Sequence, residues 1–126
     1  MDWKFRNDLP IYSQLVEQIR LGIVAGEFPP GARLASVRDL ATEAGVNPNT
    51  MQRALQELER EGIVFSQRTA GRFVTEDIAA IDRAKQSLAR EQIRLFREAM
   101  GKLGYGREQV LALLREEKEE EEHADT

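Results

Sequence analysis

Four hydrogen-bonding side chains crowd one short stretch of the chain: Asn49, Thr50, Gln52 and Arg53. Arginine matches the two acceptors on a guanine edge, and asparagine or glutamine matches the acceptor–donor pair of adenine. Further on, Arg68 and Arg72 flank the tip of a turn, in place for phosphate or minor-groove contact. The chemistry these residue types share is recognition of double-stranded DNA rather than the making or breaking of bonds. For reaction chemistry the chain offers little. It has no cysteine and one histidine, His123, which stands in a run of acidic residues. A phosphate-binding glycine loop and metal-ligand spacings are both missing from the sequence. No enzymatic activity, metal or cofactor is expected.

The elements that must position these residues are legible between Ser36 and Gly62, where the chain reads SVRDLATEAGVNPNTMQRALQELEREG. Ser36 is a good N-cap, with Asp39 placed to answer it in a capping box. Leu40, Ala41 and Ala44 give the first helix an apolar stripe. Gly45 supplies the positive φ that ends it, and Val46 plugs the corner. Asn47 caps the second helix, and Pro48 takes the first helical position, where its missing N–H is no loss. Met51, Ala54, Leu55 and Leu58 form the buried face, which leaves Asn49, Thr50, Gln52 and Arg53 outward at the N-terminal end. This is a helix-turn-helix whose second helix is shaped for a major groove. After Gly62 the runs IVFSQ and RFVT surround Arg68-Thr69-Ala70-Gly71. They predict a β-hairpin with Gly71 in its left-handed position, the wing of a winged helix.

Upstream, Trp3 and Phe5 alternate with polar residues as an extended arm. A helix from Pro10 to about Ala25 follows, with Ile11, Leu15, Ile19 and Ile23 on one face and Tyr12 and Val16 widening it. Phe28-Pro29-Pro30-Gly31 is a stiff connector. Beyond Glu76 the pattern changes to one long helix in which Ile81, Leu88 and Leu95 recur every seven residues, joined by Phe96 and Leu103. A break at Gly104-Tyr105-Gly106 precedes a second helix to about Glu117. Such a helical hairpin cannot bury its own stripe, so its partner is either the winged-helix domain or the same hairpin of a second chain; on the second reading Ile81, Leu88, Leu95, Phe96 and Leu103 are candidate dimerisation residues. The fold expected is mostly α with a small β-hairpin. Residues 1–75 form a winged helix-turn-helix DNA-binding domain, 76–117 a two-helix dimerisation region and 118–126 an acidic, disordered tail.

The 126 residues carry a net charge of −4, yet the balance is uneven. Residues 1–75 hold nine Lys/Arg against nine Asp/Glu, and residues 76–126 hold nine against thirteen. The DNA-binding half is therefore neutral, so affinity must come from local placement of Arg33, Arg38, Arg53, Arg68 and Arg72, and non-specific binding should be modest. No apolar run approaches membrane-spanning length and no signal segment is present, so a cytoplasmic location is expected.

From Pro10-Ile11-Tyr12-Ser13-Gln14-Leu15 through Gly26-Glu27, Pro30-Gly31 and Leu34-Ala35-Ser36-Val37-Arg38-Asp39-Leu40-Ala41, the chain resembles the N-terminal domain of GntR-type bacterial transcription regulators. The likeness continues through Gly45-Val46-Asn47, Thr50, Ala54, Leu58-Glu59-Arg60-Glu61-Gly62 and Gly71-Arg72-Phe73-Val74. The short two-helix C-terminal region is similar to the YtrA subfamily. The resemblance implies a homodimeric regulator, usually a repressor, often acting on operons for ABC-type transporters. It also implies DNA contact by Arg38, by Asn47, Asn49, Thr50, Gln52 and Arg53, and by Gly71 at the wing. Three positions depart from the pattern: Ala35 replaces a Pro, Thr69 a wing Gly and Arg72 the usual Thr. The competing reading is a winged-helix protein-interaction module, which predicts that an exposed apolar patch carries the function. A small-molecule effector is not identified by any residue.

Overall fold

The computed structural model describes the backbone of residues 1–124 and the side chains of residues 1–118. Its elements follow in the order α1 (Ile11–Val24), α2 (Val37–Ala44), α3 (Pro48–Arg60), β1 (Val64–Gln67), β2 (Gly71–Val74), α4 (Ile78–Lys102) and α5 (Arg107–Ala124). The chain divides into two compact units, Met1–Gln86 and Ser87–Thr126.

In the first unit α3 packs against both α1 and α2. Apolar residues at helical spacing make that possible: Leu15, Ile19 and Ile23 of α1 and Met51, Leu55 and Leu58 of α3 are essentially removed from solvent. Each such side chain contributes about 1.5–3 kcal/mol of burial. Ile63, Val64 and Val74 carry the same core under the hairpin. The hairpin pairs Val64 with Val74, Phe65 with Phe73, Ser66 with Arg72 and Gln67 with Gly71. Gly71 has φ +105°, which fits its expected role at the turn.

Residues 31–34, where the stiff connector ends, hold a further piece of sheet. Gly31 N–H donates to Val74 O (3.0 Å), Val74 N–H to Ala32 O (2.9 Å) and Leu34 N–H to Arg72 O (2.9 Å). β2 is thus bonded along both edges, which fixes the base of the wing against the first unit.

The N-terminal arm lies along α1. Lys4 exchanges two hydrogen bonds with the Gln18 carboxamide, 3.2 and 2.7 Å. Arg6 N–H donates to Gln14 Oε1 at 2.7 Å, and Gln14 Nε2 donates to Arg6 O (2.9 Å) and Leu9 O (3.0 Å). The match is geometric: four residues of helix rise about 6 Å, and two residues of extended chain cover about 6.6 Å. Trp3 and Phe5 stack with 6.3 Å between ring centroids and pack on the core.

α4 corrects two expectations. Ile81, expected on a dimer-facing stripe, is 8 % exposed and sits with Ala84 in the core of the first unit. The unit boundary accordingly falls inside α4, after Gln86, rather than at residue 75. A seven-residue period identifies a face but not the surface that covers it. The rest of the stripe differs. Leu88 is half-buried, whereas Leu95 and Phe96 are exposed and Leu103 is 71 % exposed. Within the second unit, an open groove of about 880 Å³ lies between α4 and α5, floored by Ile93, Phe96, Val110, Leu111 and Leu114. Arg90, Arg94, Arg97 and Arg107 also line it. α5 continues to Ala124, so helical backbone covers most of the stretch 118–126 expected to be disordered. Glu, Lys and Ala are all strong helix formers. The expectation for residues 125–126, and the side chain of His123, lie outside the described residues.

Candidate nucleic-acid interface

The turn between α2 and α3 is built from local chemistry. The Ser36 hydroxyl accepts from Asp39 N–H at 3.1 Å, and Asn47 Oδ1 accepts from Asn49 N–H at 2.8 Å. Both satisfy donors that a helix N-terminus leaves unpaired. Between these caps Gly45 adopts φ 72°, ψ 35°, and Val46 N–H returns to Ala41 O at 2.9 Å. Because Met51, Ala54, Leu55 and Leu58 face the core, the opposite side of α3 faces out. There Asn49 and Arg53 are exposed and Thr50 and Gln52 half-buried, with exposed Asn47 at the cap and exposed Arg38 in the first turn of α2.

Charge on this unit is placed rather than abundant. Each acid in the second half of α3 and at its C-cap is matched by an arginine: Glu57 by Arg60, Glu59 by Arg72 and Glu61 by Arg20. Among the described residues Arg33, Arg38, Arg53 and Arg68 have no carboxylate within 4.0 Å. A neutral domain thereby keeps unpaired cations, the condition a neutral DNA binder must meet. The Arg53 guanidinium lies 4.6 Å from the centroid of the Tyr12 ring, a cation–π contact that restrains it. Arg33 packs over Gly71, where an added Cβ would stand 3.3 Å from its Nε. Arg68 is exposed in the turn of the wing.

Arg72 departs from its expected place. Instead of reaching outward at the wing tip it turns back onto α3, with its side chain only 17 % exposed. Nε donates to Glu59 Oε1 at 2.7 Å and Nη1 donates to Gln52 Oε1 at 3.2 Å. Ser66, directly opposite Arg72 in the hairpin, donates its hydroxyl to the same Glu59 oxygen. Burial pushes the Glu59 carboxyl up, but the hydrogen bonds from Ser66 and Arg72 and the Arg72 charge outweigh it and hold it below the usual carboxylate range.

Sequence reasoning did not anticipate Glu59, Tyr12 and Gln14 in these roles. For Glu59 a signal existed. It stands seven residues after Gln52, two turns along one helix face, so a long cation reaching either residue from the wing reaches both. Nothing local marks Tyr12 as the partner of Arg53.

Among the described residues no group of His, Asp or Glu side chains is arranged to hold a metal ion, and no helix is long and apolar enough to cross a membrane. The sequence profile described as "Bacterial regulatory proteins, gntR family" matches residues 11–74. The chain is 41 % identical over 111 residues to the uncharacterized HTH-type transcriptional regulator YhcF of Bacillus subtilis (strain 168), covering 88 % of this chain and 92 % of that protein. It is 38 % identical over 90 residues to the HTH-type transcriptional repressor YtrA of the same organism, covering 71 % and 69 %. In three dimensions it is similar to a GntR family transcriptional regulator from Listeria monocytogenes, with TM-score 0.82, 38 % identity, and 89 % and 98 % of the two chains covered.

Proposed function

We propose that this chain, which belongs to the gntR family of bacterial regulatory proteins, acts as a homodimeric repressor of a two-fold-symmetric operator. That it is a DNA-binding transcriptional regulator rather than an enzyme follows from the family. The dimer, the operator symmetry and the residues that touch DNA are the proposal. The observation that carries it is the outward side of α3, where Asn49, Thr50, Gln52 and Arg53 stand together while the acids further along the helix are each matched by arginine. Arg38 and Arg53 take guanine or phosphate, and Asn47, Asn49 and Thr50 complete the contact. Arg68 and the backbone at Gly71 meet the adjacent phosphates. Arg72 supports the wing instead of contacting DNA.

Dimerisation draws support from the second unit. Ile93, Leu95, Phe96, Leu103 and Leu114 are between 44 and 71 % exposed, more apolar surface than a monomer leaves uncovered without reason. A second copy covers it and sets two recognition helices about one DNA turn apart, roughly 34–36 Å. Repression is steric, by occupancy of the promoter. A transporter operon is the target we favour, by similarity to the YtrA subfamily.

The test titrates the protein against the DNA upstream of its own gene and against unrelated duplex, at two salt concentrations. Tight binding to the upstream fragment alone, with two-fold-symmetric protection and a dimer in sedimentation, is expected. Equal and strongly salt-weakened binding to both duplexes means that only phosphates are read, and a monomer at binding concentrations overturns the dimer.

A further inference from the structure

The contact between Gln52 and Arg72 has a consequence for which base the recognition helix reads. A guanidinium carries only donors. Arg72 Nη1 lies 3.2 Å from the Gln52 carboxamide oxygen, so that oxygen must face the wing and the amino group must face away from it. The arrangement is held from several sides. Arg72 Nε is anchored on Glu59 at 2.7 Å, and Glu59 takes a second bond from Ser66. The backbone of Arg72 is fixed by Leu34 N–H on one edge and by pairing with Ser66 on the other.

An unrestrained glutamine recognises adenine in two-point fashion, its oxygen accepting from N6 and its amino group donating to N7. With the oxygen turned to Arg72 and one of its two lone pairs taken there, Gln52 leads with its N–H groups on the side away from the wing. Guanine presents two acceptors, N7 and O6, on its major-groove edge; cytosine presents a donor there and adenine an acceptor beside a donor. The positive charge of Arg72 behind the amide adds to the preference for the edge richest in acceptors.

We infer that Arg72 is a positioning residue that makes Gln52 a reader of guanine, so that one base pair in each operator half-site is selected as guanine through Gln52 and not as adenine. The inference rests on the operator-binding function proposed above. Arg72 itself touches no base. It sets the hydrogen-bonding pattern that its neighbour shows to the groove.

The experiment is selection from a pool of operators randomised across the half-site, read by sequencing, with wild type, Gln52→Ala, Arg72→Met and Arg72→Lys. In the wild type, guanine is enriched at one position, and Gln52→Ala erases the preference there while leaving the others. Arg72→Met frees the amide and moves the guanine-to-adenine ratio at that position toward adenine by roughly tenfold, the size of a two-point contact's discrimination. Arg72→Lys, which still only donates, keeps guanine. A merely structural wing arginine predicts loss of affinity at every position with no change of base. Adenine at the Gln52-dependent position of the wild type overturns the inference, a result independent of whether the Arg72 variants fold. So does a guanine preference untouched by Arg72→Met in a variant whose melting curve is intact. A wild type that enriches no sequence overturns the operator reading itself, and this inference with it.

Discussion

Replacing Gln14 by Leu should loosen the first unit by detaching its N-terminal arm. Gln14 is the buried polar residue of the core, 7 % exposed. Its carboxamide makes three well-formed bonds to the arm and the turn after it, to Arg6 N–H, Arg6 O and Leu9 O. At about 1 kcal/mol net each, these total about 3 kcal/mol. Leucine keeps the volume apolar and returns part of that, and the freed Arg6 groups regain water once the arm lifts, so about 2 kcal/mol should be lost. For a unit of this size that lowers Tm by roughly 8–16 °C. The readout is built into the chain: Trp3 is its single tryptophan and packs on the core with Phe5. Its emission should shift to the red in Gln14→Leu at temperatures where circular dichroism still shows a folded domain. Gln18→Leu, which removes two bonds from an exposed site, should shift both quantities less. An unchanged emission maximum together with an unchanged Tm in Gln14→Leu would refute the idea that this amide fastens the arm.

Arg53→Ala should weaken operator binding by about 1–3 kcal/mol and relax selection at one position, measured by titration against single-base operator variants. Leu95→Glu combined with Phe96→Glu should yield a monomer in sedimentation while leaving the melting of the first unit unchanged, because both side chains lie in the second unit. Acid should release the wing. The folded-state pKa of Glu59 lies below its ordinary 4.5, so the stability it lends is fully present above that value and is lost as pH falls through the lower one. The Tm advantage of wild type over Glu59→Gln, followed from pH 7 downward, should hold to roughly pH 4.5 and vanish below it.

What the sequence made legible was mostly what neighbouring residues decide among themselves. Ser36, Gly45, Asn47 and Pro48 act within one turn of their own positions, and the structure has their two caps and the left-handed glycine where the residue types require them. The β-forming runs around Arg68–Gly71 became the hairpin for the same reason. Residues whose roles depend on distant partners were not legible. The extra sheet edge at 31–34 is made by backbone groups, which leave no mark in side-chain identity. Arg72 reads as a cation at a wing tip until the hairpin register sets it opposite Ser66 and over Glu59. Ile81 has the same period as Leu88 and Leu95, and only the packing of α4 assigns it to the first core.

The fastening of the wing to α3 through Glu59, Ser66 and Arg72 also bears on the thermodynamics of meeting DNA. A reading surface that assembles on contact shows the large heat-capacity change and opposing entropy of coupled folding. Here the hairpin and the recognition helix are ordered as one piece during folding, before any duplex arrives. The temperature dependence of binding then reports the surface buried between protein and DNA, and the rate of association is set by diffusion and orientation instead of by a search for structure.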